Sequence, residues 1–141
     1  MSQTHVPADL RRLVRQRADR HCEYCRIPED FTFAPHEIDH IVAEKHGGET
    51  TLDNLALCCT LCNHRKGSDL SSVDPRTGEI VLLFHPRKHS WSDHFRFNGA
   101  LPEPLTPTGH ATARLLGLNA EVRVAERTAM ATARQTKAPG A

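Results

Sequence analysis

Two Cys-x-x-Cys turns, Cys22–Cys25 and Cys59–Cys62, constrain this chain more than any other feature. Brought together, they offer four thiolates, the tetrahedral set that structural Zn2+ takes. Cys58 is the spare fifth cysteine, since pairing it with Cys62 gives a longer spacing that fits the tight knuckle less well. An odd count and a reducing compartment both argue against disulfides, and the uses that compete with zinc are buried reduced thiols or a redox pair. Residues 26–58 lie between the turns, more than a simple zinc ribbon needs. A metal there would hold something substantial between its knuckles.

The 141 residues suit one domain with a tail, and 38% hydrophobic with only 5% aromatic content makes a thin core that gains from a metal. No window approaches the roughly 18 apolar residues of a membrane span, and the N-terminus lacks the apolar centre of a signal peptide, so a cytoplasmic location is expected. The net charge of +1 identifies no partner. Its distribution says more: Arg11, Arg12, Arg15, Arg17, Arg20 and Arg26 crowd one segment with only Asp19 and Glu23 among them. A solvated charged face is the expected role of most of them, with phosphate contact the competing one for two or three.

The periodicity predicts an N-terminal amphipathic helix within residues 1–20, with Pro7 and Asp9 in its first turn and Leu10, Leu13, Val14 and Ala18 on its apolar face. From Cys22 to Leu70 the order is strand ("EIDHIV"), loop ("GGETTLDN"), strand ("LALCC"), helix ("TLCNHRKGSDL"). A strand over "IVLLF" and another over "SWSDHFRF" ending in an "NG" turn follow. Thr106 as N-cap and Pro107 at the first helical position open a helix that Gly109 and Gly117 weaken, and a second helix starts near Asn119. The expected architecture is α+β: residues 21–74 as the chemical domain, 75–134 as its C-terminal extension, and 135–141 as a disordered tail.

The chemistry concentrates between the knuckles. Asp39 and Asn63 are oxygen donors suited to a hard cation such as Mg2+, which keeps waters and open positions for a phosphate. His40 is a neutral imidazole near physiological pH, able to take a proton from an attacking water. Together they describe metal-assisted phosphodiester hydrolysis. Adjacent residues on a regular strand point to opposite faces, so the strand must end or twist at His40. Asn54 closes the glycine-containing loop and is expected to tie it so that the His40 ring is held, although in "LDNL" it also reads as an ordinary turn residue.

This order of "EIDHI", "HGG", "TLDNLA" and "CTLCN" resembles the HNH endonuclease family, in its small bacterial zinc-knuckle branch, over roughly residues 20–70. The resemblance implies a ββα-metal core stapled by zinc on Cys22, Cys25, Cys59 and Cys62. It further implies Asp39 and Asn63 as ligands of a catalytic metal, His40 as general base, Asn54 as the orienting residue, and products with a 5'-phosphate and a 3'-hydroxyl. Asn63 stands where the family name has histidine; a neutral amide oxygen favours Mg2+ or Mn2+ over softer ions. "LFHPRKHSWSDHF" and "LTPTGHATARLLGLN" also look like extensions of that branch.

Arg65 and Lys66, one turn from the proposed metal, are the basic residues expected to hold a nucleic-acid backbone, with double-stranded DNA the expected partner. His36, His46 and His64 read as loop or surface groups. His85, His89 and His94 around Trp91 read as packing, with a small second site as the competing use. Trp91 and the phenylalanines are expected in the core. The alternative to an enzyme is a non-catalytic zinc module that binds nucleic acid or a protein on an HNH scaffold, which would have no use for Asp39, His40 and Asn63.

Overall fold

A computed structural model describes residues 5–137, with side chains as far as Ala133. Helix α1 (Ala8–Arg17) follows Pro7, which pre-sets an extended entry, and carries Asp9 in its first turn. Its apolar face is narrower than expected. Val14 is fully buried with Leu10 and Ala18 packed around it, whereas Leu13 is exposed.

The arginines at the end of α1 staple the chain. Arg15 pairs with Glu29 and donates to the His36 carbonyl, and Arg17 donates to the carbonyls of Leu52 and Leu55. These groups are committed to partners within the protein itself.

Strands β1 (Glu37–His40) and β2 (Leu55–Cys58) form an antiparallel ladder in which Asp39 faces Ala56 and His40 faces Leu55. All four residues of β2 are buried, and the two-residue period of a strand explains why. Leu55 and Leu57 join Val6 and Val14 under α1, while Ala56 and Cys58 join the larger core with Tyr24, Phe84, Phe95, Leu116 and Leu118. Burying each such large apolar side chain stabilises the fold by about 1.5–3 kcal/mol. Helix α2 (Thr60–Lys66) then packs back across β1. The strand, loop, strand, helix order expected from the sequence is the one observed.

Two further hairpins follow, β3 (Ser71–Val73) with β4 (Ile80–Leu82), and β5 (Phe95–Asn98) with β6 (Leu101–Pro104). The expected strand over "SWSDHFRF" begins later than its pattern suggests. Residues Trp91–His94 form a helical turn, α3, and pairing starts at the buried Phe95. Phe31, Phe33 and Phe97 are exposed, so the expected burial holds for Phe84 and Phe95 but not for all phenylalanines.

Helix α4 (Pro107–Leu116) is capped by Thr106, whose hydroxyl accepts from the Gly109 amide at 3.0 Å. Gly109 is required rather than weakening, because a Cβ there would lie 2.4 Å from the His94 carbonyl oxygen. Helix α5 spans Glu121–Lys137. The tail expected from residue 135 is therefore helical through Lys137, and residues 138–141 lie outside the described residues. No helix among the described residues is long and apolar enough to cross a membrane.

Candidate metal centres and active site

The two knuckles meet. The sulfurs of Cys22, Cys25, Cys59 and Cys62 lie within 4.8 Å of one another, and all four residues are buried. Each knuckle turns its second amide onto its first sulfur, Cys25 N–H onto Cys22 Sγ at 3.5 Å and Cys62 N–H onto Cys59 Sγ at 3.4 Å. The second of these also caps α2. Four sulfurs converging this closely make a donor set that fits a structural zinc ion. Cys58 is buried outside this set, as its spacing predicted.

The first knuckle is also sewn to β2. Glu23 N–H donates to the Leu57 carbonyl at 2.8 Å, and the Glu23 carboxylate accepts from Leu57 N–H at 2.8 Å and from Arg87. The cysteine cluster therefore fixes the ladder that carries Asp39 and His40.

β1 ends at His40, which resolves the alternation problem: both Asp39 and His40 are buried, on different surroundings. The Nε2 of His40 lies 2.9 Å from Thr50 Oγ1. Thr50 sits in the 41–54 loop, and Asn54 ties that loop with its whole amide. Its Nδ2 donates to Val42 O at 2.9 Å and Glu49 O at 2.8 Å, and its Oδ1 accepts from Val42 N–H at 2.9 Å. Gly48 fits beneath this clasp because any Cβ would lie 1.7 Å from Val42 O.

Asp39 accepts at Oδ2 from the Tyr24 hydroxyl at 2.9 Å and is ion-paired there with Lys66 at 3.2 Å. Burial raises the Asp39 carboxyl above its ordinary value, against the pull of Lys66 and Tyr24. Lys66 is only 2% exposed and also donates to the Ile41 carbonyl at 3.0 Å. It is not a surface cation, and its expected contact with a nucleic-acid backbone gives way to a buried pairing. Arg65 is exposed, with its guanidinium against Gly117.

Asn63 meets β1 at Glu37, to which its Nδ2 donates at 2.6 Å. Helix α2 thus sets Asn63 on Glu37 and Lys66 on Asp39. Glu37 was missed, although its position two residues before Asp39 on one strand was the available signal. Thr50 was missed too, since a loop threonine carries no pattern.

Of the histidines around Trp91, His89 and His94 pack on Phe84. The His89 and His94 rings are 5.0 Å apart, His89 Nδ1 accepts from His85 N–H, and His85 Nδ1 accepts from the amides of Arg87 and Lys88. Among the described residues, only the four cysteines form a group of three or more Cys, His, Asp or Glu able to hold a metal.

Against known proteins, residues 22–69 match the family model described as HNH endonuclease. The match covers 48 of the 141 residues, the part of the chain that is similar to HNH endonucleases. The match begins at Cys22 and ends just beyond α2, so it spans the ββα unit, its 41–54 loop and the four clustered cysteines. The family links the segment to nuclease chemistry and nucleic acid in general terms. No curated protein and no solved structure matches the chain.

Proposed function

We propose that this protein is a metal-dependent endonuclease that hydrolyses phosphodiester bonds, with double-stranded DNA as its substrate. The single observation that carries the reading is the contact of His40 Nε2 with Thr50 Oγ1 at 2.9 Å, on a loop clasped by Asn54. A scaffold retained only for binding has no need of an oriented buried imidazole.

In the tautomer whose Nε2–H donates to Thr50, the Nδ1 of a neutral imidazole carries a lone pair, the form a general base needs. Nδ1 takes the proton of the attacking water. Asp39, held at Oδ2, would offer its other oxygen to a divalent cation, and Asn63 and Glu37 would offer amide and carboxylate oxygens from the facing helix and the same strand. Hard oxygen donors of this kind suit Mg2+ or Mn2+, which when bound stabilises charge developing on the phosphate and on the departing 3'-oxygen. Lys66 fixes the Asp39 carboxylate, and Arg65, exposed on α2, contacts the phosphate backbone. The cysteine tetrad holds zinc and keeps β1 and α2 in register.

The test is cleavage of supercoiled plasmid with Mg2+, Mn2+ or EDTA, run beside His40→Ala. Metal-dependent nicking that disappears in the variant, with zinc content and fold unchanged, is the expected result. Wild-type cleavage by His40→Ala would overturn the assignment of the base. Absence of cleavage in every metal by folded, zinc-loaded protein would overturn the enzyme reading.

A further inference from the structure

The cysteine cluster has a fifth participant that lies outside the HNH segment. Arg123, on α5, places Nη2 3.3 Å from Cys59 Sγ and 3.3 Å from Cys62 Sγ, while its Nη1 donates to the Leu116 carbonyl at 3.0 Å. The residue is 2% exposed. One helical turn later Arg127, 3% exposed, donates to the Leu118 carbonyl at 2.7 Å and to the carbonyl of Cys25 at 3.4 Å.

A buried guanidinium needs an anion. The described ion pairs include none between Arg123 and a carboxylate. Its counter-charge is sulfur. Four thiolates on one divalent ion leave an excess of two negative charges, which a buried site must offset by hydrogen bonds and a nearby cation. The planar fork of arginine can serve two sulfurs and a carbonyl at once, a pattern that the compact ammonium of lysine does not reproduce.

We propose that Arg123 is the outer cation of the zinc tetrathiolate and that through it α5 acts as a clasp on the metal. Arg123 is a positioning residue: it touches the ligands, offsets their charge and covers the cluster on the α5 side. Because coupling is reciprocal, zinc in turn holds α5 against the domain. The inference rests on the cysteine tetrad holding zinc and is independent of catalysis.

The experiment begins with the zinc content of the full-length wild-type protein. A stoichiometric ion establishes the site; none, in folded protein, overturns the zinc reading and the clasp with it. Zinc transfer to a chromophoric chelator is then timed for wild type, Arg123→Met and Arg123→Lys. Loss of an outer partner of this kind costs about 10- to 100-fold in metal retention. Arg123→Met is expected to release zinc faster by that factor, with Arg123→Lys in between. In Co2+-substituted protein, the thiolate-to-metal charge-transfer bands are expected to move to lower energy in Arg123→Met, because sulfurs without N–H donors are richer in electrons. A folded Arg123→Met with wild-type release and an unchanged cobalt spectrum overturns the proposal. Where Arg123→Met fails to fold, Arg123→Lys decides: shifted bands and faster release support the clasp, and a wild-type spectrum with wild-type release overturns it.

Discussion

Lys66 and Asp39 form a buried ion pair, 3.2 Å apart, at residues only 2% and 5% exposed. It joins the last turn of α2 to the end of β1 at the point where the active-site chemistry is proposed. Lys66→Met removes the cation and leaves Asp39 buried beside the Tyr24 hydroxyl alone. Breaking one side of a buried pair costs about 3–5 kcal/mol. Urea unfolding of the zinc-loaded variant is expected to show a loss of that order.

Arg65, one residue earlier and exposed, gives the opposite pattern. Arg65→Ala is expected to leave stability within about 0.5 kcal/mol of wild type. Binding of the zinc-loaded protein to a DNA duplex, without added Mg2+ or Mn2+, should weaken for every sequence tested, and the slope of log K against log salt should fall by about 1. Fluorescence anisotropy over a salt series measures both.

Thr50 is expected to act through His40. Thr50→Val keeps the shape of the side chain and removes the hydroxyl that meets Nε2. The loss of one such hydrogen bond, about 1–1.5 kcal/mol, corresponds to roughly a tenfold slower single-turnover cleavage. His40→Ala should fall about 10²- to 10⁴-fold. Equal rates for Thr50→Val and wild type would remove threonine from the mechanism.

The loop that presents Thr50 depends on its clasp. Asn54→Ala deletes the bonds to Val42 and Glu49 and leaves the Val42 amide without its side-chain acceptor, a cost of about 1–3 kcal/mol. Gly48→Ala should be worse than an ordinary glycine substitution, because its Cβ meets Val42 O at 1.7 Å. Thermal unfolding at saturating zinc compares the two, and both should also slow cleavage.

Acid sensitivity has an identifiable contributor in Glu29. Burial alone would raise its carboxyl, but Arg15 and the His36 amide together hold it below the ordinary glutamate value. A depressed folded value means that the unfolded chain binds the proton more readily. The stabilisation is present above the unfolded value of about 4.3 and is lost as pH falls through the lower folded value. Glu29→Gln should therefore be less stable than wild type near neutrality and lose less stability on acidification below about pH 5. Denaturant midpoints across that range test the sign.

The ladder, its loop and α2 were legible because their signals are local. A short part-apolar run marks β1, a short apolar run marks β2, and the cysteine spacing marks the knuckles. Asp39, His40, Asn54 and Asn63 stood out because polar residues of those types fall at fixed offsets from the knuckles. Lys66 misled because a charge near a helix end reads as solvated. It lies four residues after Cys62, hence on the same inward face, and that spacing was the cue. Arg123 gave no local cue at all. On α5, Val122 is exposed while Arg123 and Arg127 are buried, an inversion that makes sense only once sulfurs and carbonyls more than fifty residues away are in place. The α3 turn displaced the start of an expected strand for a related reason, since Trp91 Nε1 bonds the distant Tyr24 carbonyl at 2.9 Å.

Each sheet described above is a two-stranded ladder between neighbours in sequence. Such pairings close short loops and form quickly. The slower search is for the long closures, Cys22–Cys25 onto Cys59–Cys62 and then α5 onto both. When zinc is returned to stripped protein, the hairpins should therefore form ahead of the metal centre, and the last phase of refolding should report the arrival of a helix at a sulfur cluster.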